Sequence, residues 1–190
     1  IVLKLLQNIA KENVIEHNGV KVDLTRWEKL SVADAFQKYA SISPLQLFDH
    51  TQFINIASKK GYITEGFSYE DIWSQIYTQE IEQKLGMNGH PTLLYDYPKE
   101  FAALAKLNED GNTAQRFEFY IAGIELGDCY TELTDWKEQQ MRFDQEQKMR
   151  KESGRIMHPI DKGFIEALQY GLKPCAGIAI GFDRLASIFA

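Results

Sequence analysis

Cysteine is nearly absent from this chain: Cys129 and Cys175 are the only two among 190 residues, and neither has a CxxC neighbour. That excludes a disulfide framework and leaves too few thiolates for a zinc site. Both read as reduced thiols with packing roles, as in a cytoplasmic protein. Long apolar runs are also lacking. Nothing approaches the roughly 20 residues that a bilayer span needs, and no signal-peptide pattern opens the chain, so no membrane association is expected. An excess of positive charge is missing too. With 21 Lys and Arg against 27 Asp and Glu, the net charge is −6, which argues against an electrostatically dominated grip on nucleic acid. No repeat or low-complexity tract is present.

What is there suffices for a sizeable core. The hydrophobic content is 44%, fitting one domain or a large piece of one. The first residue is Ile rather than Met, so the chain is expected to be part of a larger functional unit. The first half, residues 1–88, reads as mainly helical. Val2, Leu5, Leu6 and Ile9 fall at helical spacing, Ser31 precedes a periodic run with Asp34 three positions on, and residues 48–60 and 69–85 each read as one helix, the second closed by Gly86. From about residue 89 the character changes. Residues 91–98 form a strand bounded by prolines, and 117–133 is rich in β-favouring residues. Thr134 is expected to cap a long charged helix ending near Gly154, and Asp161 a shorter one that Gly171 ends. The implied fold class is α+β, an antiparallel sheet flanked by helices.

Two segments carry chemistry. In the last, small residues Gly177, Ala179 and Gly181 alternate with Ile178, Ile180 and Phe182. A strand there turns the large residues to a core and leaves the other face bare, which marks close approach of a ligand or another backbone. Asp183 is expected to cap a final helix, placing Arg184 in its first turn, where the dipole disfavours a cation unless an anion lies nearby. The other segment places Glu125, Asp128 and Glu132 in sequence suited to a buried strand. Carboxylates are rarely buried unless paired, and a metal ion with an ammonium group would pair them. Glu125 and Glu132 are an odd number of positions apart, so they share a face only if a bulge intervenes, with Gly127-Asp128 as its natural place. Each feature has a plainer reading, an exposed acidic edge strand or tight Gly/Ala packing; together they converge on a site for phosphate, metal and a cationic small molecule.

At these residues the chain resembles a known family. The 177–184 segment looks like motif 3 of class II aminoacyl-tRNA synthetases, and 123–133 like the acidic segment of their lysine branch. Within that branch it is most similar to the elongation factor P lysyl-lysine ligases, the GenX, PoxA or EpmA family. The resemblance implies the C-terminal portion of a class II catalytic domain over 1–190, with motifs 1 and 2 expected upstream of Ile1, so that the chain is expected to be inactive alone; the full-length protein is expected to be cytoplasmic and homodimeric. It implies ATP and Mg²⁺ as cofactors, lysine or β-lysine as substrate, and elongation factor P as acceptor, with lysine tRNA as the alternative; the other alternative is a non-catalytic synthetase-like binding module. Glu125 and Arg184 match catalytic positions. Glu125, Leu126, Gly181 and Arg184 match ATP-binding positions, and Glu125 and Glu132 are assigned to metal. Asp128, Tyr130, Glu132, Gly177 and Ala179 fall on substrate-binding positions. Alanine at 179 is the ligase residue where lysyl-tRNA synthetases have glycine, and Asp128 stands where both groups usually have asparagine.

Overall fold

The computed structural model describes residues 2–189. Its centre is a five-stranded sheet of β3 (Glu28–Ser31), β4 (Thr92–Pro98), β5 (Thr113–Ile121), β6 (Ile124–Thr131) and β7 (Ala176–Ile180), in that spatial order. Four strands run antiparallel as expected, but β3 pairs parallel to β4 at one edge. A separate hairpin joins β1 (Val14–His17) and β2 (Val20–Asp23), so three short strands interrupt the helices of the first half.

Each face of the sheet has its own layer. On one, Leu94, Tyr97 and Tyr120 pack against Phe36, Phe53, Ile72, Trp73 and Ile76. Those come from α2 (Val32–Ala35) and its π-helical continuation, α4 (His50–Lys59) and α5 (Tyr69–Ile76), with α3 (Pro44–Phe48) alongside. On the reverse face Phe119, Ile121 and Leu126 meet Leu6 of α1 (Val2–Ala10), Ile15 and Val22 of the hairpin, and Ile188 of α8 (Phe182–Ile188). α6 (Trp136–Glu152) and α7 (Lys162–Tyr170) lie between β6 and β7 in sequence. Arg142 ties α6 to the connection between β4 and β5 by donating to the carbonyls of Ala103 and Ala105 at 3.0 and 2.9 Å.

Local chemistry accounts for most boundaries. The Ser31 hydroxyl accepts from the Asp34 N–H, Asp161 caps α7, and Gly171 ends it at φ 99°. The helix expected over 48–60 is α4, which begins two residues later because Asp49 accepts from the Gln52 N–H as its cap, just after α3 ends at Phe48. The helix expected over 69–85 opens on a reciprocal Ser68–Asp71 capping box, but beyond Ile76 it loosens into a π turn at Tyr77–Ile81 and a 3₁₀ turn at Glu82–Lys84. Gly86 follows at φ 72°, and a side chain there would strike the backbone of Tyr120, Ile121 and Ala122. α6 starts one residue later than expected: Asp135, not Thr134, accepts from the N–H groups of Lys137 and Glu138.

Candidate active site

The odd spacing of Glu125 and Glu132 is resolved by a bulge. Tyr120 pairs with Glu125 and Phe119 with Gly127, so Leu126 is the extra residue, one position before the expected Gly127-Asp128. Its side chain is fully buried on the reverse face. Cross-strand partners project to the same side. The registers Glu118↔Asp128, Arg116↔Tyr130, Asp128↔Ala179 and Tyr130↔Gly177 therefore gather Arg116, Glu118, Tyr120, Glu125, Asp128, Tyr130, Gly177 and Ala179 on one face. Glu132, next but one after Tyr130, continues that face just past the end of β6.

Arg184 reaches this face from α8. Its Nη1 lies 3.3 Å from Glu125 Oε2 and donates to the Glu125 carbonyl at 2.9 Å. Glu125 is thus the anion that compensates a cation in the first helical turn. The helix starts differently from expectation. Gly181, not Asp183, is the N-cap, with its N–H on the Leu126 carbonyl at 2.8 Å and its own carbonyl accepting from Leu185. A side chain at Gly181 would sit 3.3 Å from Arg184 Cδ, so the glycine gives the arginine its bed. Leu126 enters through its main chain.

Glu132 lies at the other end. A Cβ on Gly177 would fall 2.5 Å from Glu132 Oε1, so the bare strand leaves room for that carboxylate. At about 3.3 Å per residue, Glu132 and Glu125 are roughly 20 Å apart at the backbone. The two acids therefore stand toward opposite ends of this face. The carboxylate facing Glu125 is Glu118, a residue not singled out from sequence. Its signal was the Arg116-x-Glu118 alternation, which puts a cation and an anion side by side on one strand face. Burial pushes the Glu125 carboxyl above its ordinary range, repulsion from Glu118 adds to this, and Arg184 opposes it. Such repulsion is the setting a divalent cation relieves. Among the described residues no group of three His, Cys, Asp or Glu is arranged to hold a metal. That donor set fits Mg²⁺ held by one or two carboxylates together with substrate phosphates, and fits no closed protein cage.

Arg116 orders the acids. Its Nη2 donates to Glu118 Oε1 at 2.7 Å and lies 3.7 Å from Asp128, its Nη1 donates to the Phe101 carbonyl at 2.8 Å, and the guanidinium sits 4.8 Å from the Tyr97 ring centroid. The extra negative charge of Asp128 therefore has a counter-ion. Burial, and then Glu132, push the Tyr130 phenol up, so it stays a neutral wall.

The model of the family described as tRNA synthetases class II (D, K and N) matches residues 1–190. The chain belongs to this family. Class II synthetases are ATP-dependent ligases that generally use ATP and Mg²⁺, and the mixed sheet flanked by helices is that of their catalytic domain.

One expectation about the motif 3 segment is corrected. Ile178, Ile180 and Phe182 do not enter a core; they are 50%, 38% and 79% exposed. β7 is the sheet's edge, and the reverse-face layer takes Ile188 instead. The bare face has a direct test. In Gly177→Ala the added methyl meets only the end of the flexible Glu132 side chain, so the fold should keep its melting temperature within a few degrees. The displaced carboxylate should raise the KM for the amino-acid substrate roughly tenfold, as one methyl does in a small-ligand pocket. An unchanged KM would separate Glu132 from substrate binding. Among the described residues no helix is long and apolar enough to cross a membrane.

Proposed function

We propose that this face activates lysine or β-lysine as an acyl-adenylate and passes the acyl group to a lysine of elongation factor P. The observation that carries the reading is the concentration of Glu118, Glu125, Asp128 and Glu132 on one face, with Arg116 and Arg184 to balance them. The family includes branches for aspartate, lysine and asparagine. A face with four carboxylates repels an aspartate side chain and offers asparagine no charge, whereas it attracts an ammonium group.

In this reading ATP lies at the Arg184 end. Nη1 of Arg184 is engaged by Glu125, which leaves Nε and Nη2 without a partner among the described residues, a pair of donors that suits a phosphate. Mg²⁺ would be held by Glu125 with Glu118 beside it, and when bound it neutralises phosphate charge. Glu132 and Tyr130 receive the side-chain ammonium, and the length of β6 between them and Glu125 accommodates an extended lysyl chain. The substrate carboxylate oxygen attacks the α-phosphorus in line, and pyrophosphate leaves. A lysine amine then attacks the acyl carbon, and AMP leaves. Positioning and electrostatic stabilisation supply the acceleration.

Ala179, opposite Asp128 in the register, supports the protein acceptor over tRNA through the resemblance noted from sequence. Ala179→Gly should change the ratio of α-lysine to β-lysine activation by at least about tenfold, measured by pyrophosphate exchange with each amino acid. An unaltered ratio with exchange intact would put lysyl-tRNA synthetase on equal footing.

A further inference from the structure

A line of buried hydroxyls runs from the helical layer to Glu118. The Tyr120 hydroxyl donates to Glu118 Oε2. The Tyr77 and Tyr120 oxygens lie 2.6 Å apart and those of Tyr77 and Tyr97 3.4 Å apart. Each phenol has one proton. Tyr120 spends its proton on the carboxylate, so Tyr77 donates to Tyr120 across the short 2.6 Å contact. The sequence of donation from Tyr77 to Tyr120 to Glu118 thereby runs in one direction, and it ends on a charge. The other Glu118 oxygen is taken by Arg116. Both oxygens are held, and the carboxylate is presented to Glu125 in one orientation.

Tyr77 sits where α5 loosens into the π turn, and its ring stacks on Trp73 with centroids 4.8 Å apart and planes 15° from parallel. A π turn shifts the residues around it relative to a regular helix and recurs at functional sites. Here it coincides with the point at which the helical layer touches the site's hydrogen bonds.

We propose that Tyr77 is a positioning residue of the ATP–Mg²⁺ end of the site: acting through the Tyr120 hydroxyl, it fixes the Glu118 carboxylate that faces Glu125. The helical layer is then part of the machinery, and movement of α5 is transmitted to the cation-facing carboxylate. The proposal rests on the reading of Glu125 and Arg184 as the nucleotide end.

Tyr77→Phe removes the one oxygen and keeps the stacked ring. Three readouts on the full chain test it. The side-chain carboxylate ¹³C signal of Glu118, assigned by its loss in Glu118→Gln, should move in Tyr77→Phe; an unmoved signal overturns the proposal whatever the nucleotide does. Calorimetric ATP affinity with Mg²⁺ should fall roughly 10- to 100-fold, the usual cost of removing a group that orients a metal-facing ligand, while affinity without Mg²⁺ stays the same. Tyr77→Phe should add nothing further in a Tyr120→Phe background, because the path is already cut. A purely structural Tyr77 gives the contrary result: a lower melting temperature, equal losses with and without Mg²⁺, and additivity with Tyr120→Phe. If the unsubstituted protein binds ATP with no dependence on Mg²⁺, the site reading itself fails, even where the Glu118 signal has moved.

Discussion

Arg184→Ala is expected to slow ATP–pyrophosphate exchange by roughly 30- to several-thousand-fold, equivalent to about 2–5 kcal/mol of lost transition-state stabilisation. The guanidinium is oriented before ATP arrives. Its Nη1 is fixed by the Glu125 carboxylate and carbonyl, and Gly181 keeps the space beneath its stem clear. The side chain is still 55% exposed, so in the free protein the ion pair adds little to stability. Its worth appears when phosphate and substrate exclude water. The melting temperature should therefore barely change. Arg184→Lys should recover only a small part of the rate, since an ammonium cannot hold Glu125 with one nitrogen and grip phosphate with the others in a planar fork. Exchange unchanged in Arg184→Ala would return the residue to a surface ion pair.

The second large effect is on stability. Gly127 follows the bulge, pairs with Ile180 of β7, and has the Ala179 carbonyl and the Phe119 ring against the place where a Cβ would stand. The obstacle is backbone on one side and a buried aromatic on the other, so neither yields cheaply. Gly127→Ala should cost about 3 kcal/mol, at the upper end of ordinary overpacking, and lower the melting temperature by roughly 6–12 °C for a chain of this size. Relief by parting β6 from β7 would carry Ala179 and Gly177 away from Asp128 and Tyr130, so amino-acid binding should weaken in the same variant. Normal stability would mean that the two strands separate more freely than their register implies.

The need for a bulge was legible because Glu125 and Glu132 cannot share a strand face without one. The sequence pointed to Gly127, whose conformational freedom makes it the natural bulge residue. The fold uses Leu126 instead, since doing so sends a large apolar side chain into the reverse-face core and keeps Gly127 for the close approach to β7. Asp183 looked like a helix cap on composition, but the tertiary hydrogen bond from Gly181 to the Leu126 carbonyl decides where strand becomes helix. Ile178 and Ile180 alternate as core residues do; periodicity gives their shared face and says nothing of whether a layer covers it. Glu118 escaped notice because Arg116-Phe-Glu-Phe-Tyr reads as an ordinary half-buried strand, and its significance depends on Asp128 and Glu125 arriving from β6.

The most direct measurement is amino-acid-dependent ATP–pyrophosphate exchange with Mg²⁺ on the full-length protein, run in parallel with lysine, β-lysine, aspartate and asparagine. The four-carboxylate face predicts exchange with lysine or β-lysine, none above background with aspartate or asparagine, and loss of the lysine signal in Glu132→Gln. Exchange driven by aspartate or asparagine, or a lysine signal indifferent to Glu132, would contradict the assignment of this face to a cationic amino acid.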